Sequence, residues 1–189
     1  MSLITLTDPP AVHAHLDMFL RQHLRLSPQE NDQDHAINSY FAAALEMVET
    51  YTRRRLLTQQ LELRLNGFCG SQEIDLEVAP VQSVEAVEYQ GQDGVQHTVP
   101  GDFYRVLKSE AAYRLAPVFG QIWPVTAWEK DVVRVRFVAG YGGVNDLPKA
   151  IYGALLMLTE HQFQHRDGST AIEGNAQIET RLKPYRIWV

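Results

Sequence analysis

The residues of this chain that could do chemistry are few and scattered. His161 and His165 lie four apart in Glu-His-Gln-Phe-Gln-His and so share one face of a helix, the spacing zinc ligands use in metallopeptidases. The glutamate that would act as general base precedes the first histidine instead of following it, and no distant third ligand is identifiable. Read plainly, both are cations at a helix end, where the partial negative charge favours them. His13 and His15 fall on different faces of a first helix. Cys69 is the one cysteine, which excludes an intrachain disulfide or a thiolate cluster, and its Asn-Gly-Phe-Cys-Gly-Ser turn supplies neither a cation nor a helix N-terminus to activate a thiol.

Gly140-Tyr141-Gly142-Gly143, between a strand and a helix, invites comparison with a phosphate-binding loop. Such a loop needs exposed N–H groups aimed at an anion from a helix N-terminus. Here there is no Gly-x-Gly-x-x-Gly and no Gly-Lys-Ser/Thr, and Asn145 and Asp146 put a carboxylate where the anion should sit. The glycines read instead as a passage from sheet to helix. A Gly-x-Ser-x-Gly elbow is absent too, and the carboxylates fall on the polar phase of helices and strands. The residues therefore predict no catalytic constellation, no cofactor and no metal.

The elements around these residues are legible. A chain of 189 residues buries about 70% of its unfolded surface, and 45% hydrophobic with 21% charged residues is the composition of an ordinary globular protein. No window approaches the roughly 20 apolar residues of a membrane span, and the start lacks a signal-peptide pattern, so the expectation is a protein neither secreted nor embedded. A net charge of −6 argues against nucleic-acid binding by the whole surface. Thr7 or Asp8 can cap a first helix carrying Val12, Leu16, Phe19 and Leu20. A second, over 36–55, aligns Ile37, Tyr40, Phe41, Ala44, Leu45, Val48 and Tyr51 and ends at Arg53-Arg54-Arg55, cations suited to a helix C-terminus.

From Leu56 the period becomes two. Leu61, Leu63 and Leu65 alternate with Glu62, Arg64 and Asn66 up to an Asn-Gly turn signal, and Ile74, Leu76 and Val78 repeat the pattern. Further runs at 84–90, 95–99, 103–107 and 112–116 lead to a last strand with Val133, Val135 and Phe137 inward and Arg134 and Arg136 in water. A third helix starts at Pro148 and is apolar nearly all round, so one of its sides is a candidate contact with another subunit. After a polar loop, Asp167 to Asn175, a last helix carries Ile178 and Leu182 and stops at Pro184. Tyr185, Ile187, Trp188 and Val189 then form an aromatic end that docks either onto the protein's own body or into a partner. The fold class is α+β: about four helices forming a core, with an antiparallel sheet or small sandwich inserted between the second and third. The divisions fall at 1–55, 56–139 and 140–189.

In order, Glu49-x-Tyr51-Thr52 with Arg55, Ala-Pro-Val-Gln-Ser-Val before a strand, Phe-Gly-Gln-Ile-Trp-Pro, Val-Ala-Gly-Tyr-Gly before a Pro-started helix and the end Leu-Lys-Pro-Tyr-Arg-Ile-Trp-Val resemble the head–tail connector (adaptor, or head-completion) proteins of tailed bacteriophages and prophages. The likeness covers nearly the whole chain and corresponds to a long form with a β-rich insertion. It implies a non-enzymatic structural subunit that forms a cyclic oligomer, dodecameric on the portal. Such a ring extends the DNA channel without binding DNA specifically and meets the next head-completion or tail protein. It also implies assembly in the bacterial host cytoplasm and residence in the virion. On this reading Leu182, Tyr185, Ile187, Trp188 and Val189 dock on the portal, while Tyr40, Tyr51, Tyr152, Leu156 and Phe163 meet neighbouring subunits. The alternatives are another phage morphogenesis protein, such as a tail-completion or DNA-packaging factor, and a metal-dependent hydrolase using His161 and His165.

Overall fold

The computed structural model describes residues 2–6, 18–24, 33–68, 73–109, 112–165 and 171–187. Among the described residues, four α-helices and two antiparallel sheets make up an α+β fold; after a short first strand, the helices fall on either side of the remaining strands in sequence. The chain divides into two compact units, one of residues 1–9 with 57–141 and one of residues 10–56 with 142–189.

The first unit is β-rich. Its main sheet joins β1 (Ser2–Thr5), β2 (Gln59–Leu65), β8 (Val133–Ala139), β4 (Val81–Gln90) and β5 (Gln96–Thr98) in that order, all antiparallel. A second sheet has β3 (Ile74–Asp75), β7 (Tyr113–Pro117) and β6 (Tyr104–Lys108) in order. The register of β2 on β8 sets Leu61 opposite Phe137, Leu63 opposite Val135 and Leu65 opposite Val133. With a side-chain period of two, all six therefore share a face. That face joins Ile74, Leu76 and Leu115 from the smaller sheet in one apolar core, where each fully buried aliphatic or aromatic side chain contributes about 1.5–3 kcal/mol.

Two strand pairings lie beyond local spacing. The Asn66-Gly67 signal does not close a hairpin between β2 and β3: β2 pairs with β1 and β8, and β3 pairs with β7. The Asn66 side chain instead accepts a hydrogen bond from the Asp131 backbone N–H at 3.1 Å, fixing the turn to a residue distant in sequence. The N-terminal strand β1 has only four residues, and its partner lies about sixty residues away. Local patterns do not reveal it, since long-range pairing leaves no mark on local spacing.

The helical unit contains α1 (Met18–His23), α2 (Asp34–Thr52), α3 (Lys149–Gln164) and α4 (Ala176–Leu182). The cap positions expected at Thr7 and Asp8, and the early part of that first helix, lie outside the described residues. Helix α2 buries Ile37, Phe41, Ala44, Leu45 and Val48 and packs on α3, which buries Ile151, Ala154, Leu155 and Leu158. It ends at Thr52, short of the expected 55, because Arg53 adopts the left-handed conformation (φ 56°). Glu49 then reaches past the end to accept from the Leu56 N–H at 2.7 Å and from Arg55 at 3.0 Å. At the other end of α2, Arg21 pairs with Asp34 at 2.5 Å, an acid in the first turn where the helix dipole favours it.

Gly140 follows β8 at φ 122°, and a Cβ built there lies 2.4 Å from the Leu57 carbonyl oxygen. No side chain fits that approach of two backbones. Gly140→Ala is expected to destabilise the protein by at least about 2 kcal/mol, read as a lowered urea midpoint. An unchanged midpoint would mean that the two backbones separate at little cost.

Candidate assembly surfaces

The glycine passage closes on itself. The carboxylate of Asp146 accepts from the Gly143 N–H at 2.8 Å, and the same oxygen lies 2.4 Å from where a Gly142 Cβ would stand. An N–H that a phosphate would use is thus taken by the chain's own anion, as the sequence argument required. His161 and His165 stack with ring centroids 4.3 Å apart, and a His165 ring nitrogen lies 3.2 Å from the His161 carbonyl. No group of three or more His, Cys, Asp or Glu is placed to hold a metal among the described residues. Cys69, His13 and His15 lie outside them.

One carboxylate departs from the expectation that all are solvated. Glu62 on β2 is only 3% exposed. Its Oε1 lies 2.7 Å from Arg64 Nε and its Oε2 3.1 Å from Arg136 Nε, while Arg136 also reaches Glu88 at 3.3 Å. Arg136 is therefore half-buried in an ion-pair ladder across β2, β8 and β4, a correction to its expected place in water. Burial penalises the Glu62 charge, but hydrogen bonds and Coulombic attraction from Arg64 and Arg136 outweigh it and hold the carboxyl below its ordinary range. Such a group is a weak base and stays ionised, so its role is to tie strands together. Period-two reading could find the polar face but not its burial, which depends on partners from three strands.

The chain end is built onto α2. The last carbonyls of a helix have no partner inside it, and the Thr52 carbonyl accepts from the Ile187 N–H at 3.0 Å. Arg54 Nε donates to the Tyr185 carbonyl at 2.5 Å, and the Arg186 guanidinium lies 4.7 Å above the Tyr51 ring. The arginine run thus includes one residue that ends the helix, one that holds the tail and one that pairs with Glu49. Of the expected docking residues, Leu182 and Ile187 are buried, Tyr185 is half-buried, and Trp188 and Val189 lie outside the described residues. The expected neighbour-contact residues Tyr40, Tyr51, Tyr152, Leu156 and Phe163 are all half-buried, on α2 and α3. Beside Tyr51, a cleft of about 640 Å³ opens on α2 over Ala43, Met47 and Ile172, rimmed by Glu46 and Arg186.

No protein-family model matches the sequence, and no curated protein matches it. Solved structures do match along the whole chain. A chain from the neck of an empty gene transfer agent particle, computed with C6 symmetry, superposes with a TM-score of 0.84 at 23% identity, covering 100% of this chain and 97% of that one. A chain from the virion of the native gene transfer agent particle gives 0.82 at 25% identity with the same coverage. A chain from the native neck with C12 symmetry gives 0.78 at 23%. The likeness to head–tail connector proteins drawn from the sequence thus has its counterpart in the fold: end to end, the chain is folded like a neck component of a phage-like particle.

Because the Glu62 carboxyl is held below its ordinary range in the folded protein, its contribution is complete above about pH 4.5 and fades as pH falls through the lower folded value. Glu62→Gln should cost about 1–3 kcal/mol at pH 7, since both guanidiniums keep contact with solvent, and much less at pH 3. Urea melts at the two pH values check this. An equal loss at both would assign the effect to shape and not to charge.

Proposed function

We propose that this protein is a non-enzymatic structural subunit of a phage-type head–tail connector. Copies close into a ring beneath the portal, carry the DNA channel onward and present a surface to the next tail-proximal protein. The observation that carries this reading is the end-to-end fold match to neck chains, a TM-score of 0.84 over 100% of this chain. The C6 and C12 symmetries of those necks support a ring, and a ring of twelve copies is compatible with both. A closed ring needs two different faces on each subunit, and half-buried Tyr40, Tyr51, Tyr152, Leu156 and Phe163 supply candidates on α2 and α3. A net charge of −6 suits a lumen through which DNA slides, because a strongly basic wall would hold phosphates. Assembly takes place in the host cytoplasm, and the finished ring stays in the virion.

Portal docking falls to the end of the chain, and burial divides the work there. Leu182 and Ile187 root the segment in the subunit, leaving Tyr185, Trp188 and Val189 to enter a socket on the portal. Deleting 184–189 would therefore remove Ile187 from the core and its bond to Thr52, and would test folding as much as docking. Deleting only Trp188 and Val189 is the sharper experiment. It should leave the melting temperature within about 2 °C of the parent and weaken portal binding roughly 30-fold, the effect of losing one aromatic anchor. Undiminished binding would refute the tail's role. For the ring itself, electron microscopy of the protein saturated with its own portal should show a symmetric collar, and unattached single subunits would overturn the proposal.

A further inference from the structure

Residues 118–128, Val-Phe-Gly-Gln-Ile-Trp-Pro-Val-Thr-Ala-Trp, contain no charged side chain. They form the connection between β7 and β8 in the β-rich unit. Four of their large apolar side chains stand in water: Phe119 at 105% exposure, Trp128 at 96%, Ile122 at 84% and Val125 at 70%. Only two other large hydrophobic residues, Leu6 and Val95, are exposed among the described residues. Concentration in one segment marks an interaction surface, since single exposed apolar residues are ordinary and clusters are not.

The segment is also held in place. The Val118 N–H donates to the Phe103 carbonyl at 2.9 Å and the Ala127 N–H to the Gln90 carbonyl at 2.9 Å, while Thr126 bridges Gly91. Between these ties Trp123 turns inward and stacks on Phe68, with centroids 4.7 Å apart and planes 3° from parallel, beside Phe103 and Tyr104. One tryptophan thus anchors the loop while Phe119, Ile122, Val125 and Trp128 face outward. A backbone fixed before binding loses little conformational freedom on binding, which favours association.

We propose that this loop is the projecting half of the seam between copies of this chain, and that it enters the α2 cleft of the neighbouring copy, over Ala43, Met47, Tyr51 and Ile172. The assignment rests on the ring reading above. A second copy is the occupant because a closed ring joins two unlike patches of one chain, and this chain carries both a projecting apolar patch and a concave one. The concave patch is lined by Ala43, Met47, Tyr51 and Ile172, with charged Glu46, Arg53, Glu173 and Arg186 also on its wall. The loop brings no charge of its own that would have to be desolvated on entry. Size agrees as well. Two aromatic side chains bury about 300–500 Å², and with Ile122 and Val125 they approach the roughly 800 Å² per partner of a standard interface.

The test uses full-length chains in a Cys69→Ser background, one carrying Gln121→Cys, an exposed loop position that is none of the apolar anchors, and the other Thr50→Cys, an exposed position on the cleft. Mixed under assembly conditions with the portal and treated with a short bis-maleimide, they should give a heterodimer band and, with both substitutions in one chain, a ladder. A homodimer from Gln121→Cys alone would overturn the seam, because it requires like patches to meet. Rings on the grid without the heterodimer would also overturn it while leaving the connector reading intact. Absence of both rings and cross-links would remove both. In parallel, Phe119→Ser with Trp128→Ser should reduce ring formation at least tenfold with unchanged melting, since neither side chain is buried in the subunit. Normal rings from that variant would count against the proposal.

Discussion

The pairing of β2 with β8 is the contact on which the β-rich unit depends. Residues 59–65 and 133–139 run antiparallel over seven successive partners, from Gln59 opposite Ala139 to Leu65 opposite Val133. One face of this ladder supplies the centre of the apolar core, and the other carries Glu62 between its two arginines. Because these are also the strands nearest the points where the chain enters and leaves the unit, everything between them is an insertion closed at its base. Gly140 sits at that base, where two backbones pass too closely for a Cβ. Closing so long a loop is entropically costly, and a dry face of leucine, valine and phenylalanine offsets it.

The helical unit solves a different problem, the unsatisfied end of α2. Its last carbonyl is met by a backbone N–H from the tail, and its arginines are divided among helix termination, tail retention and an ion pair with Glu49. The tail is consequently part of the subunit up to Ile187. It also places Tyr51, under Arg186, at the edge of the α2 cleft, so tail and cleft share a side chain.

The whole-chain likeness to neck components, at identities of 23–25%, shows how far sequence can drift while the fold is kept.

Much of this was legible in the residues. Period 3.6 in 36–52 and 149–164 and period two in 59–65 and 133–139 set helices and strands, because those patterns are consequences of local backbone geometry. Asp146 could be recognised as an obstacle to phosphate from its place in the chain alone. What tertiary structure decided were relations between distant residues: that β2 seeks β1 and β8 instead of the strand that follows it, that Glu62 is buried, that Ile187 is core while Tyr185 is not, and that Trp123 turns inward as Trp128 turns out. Two tryptophans five residues apart in one loop are alike to any local rule. Only the packing of Phe68 beside one of them, from a strand end more than fifty residues earlier, separates the anchor from the surface it presents.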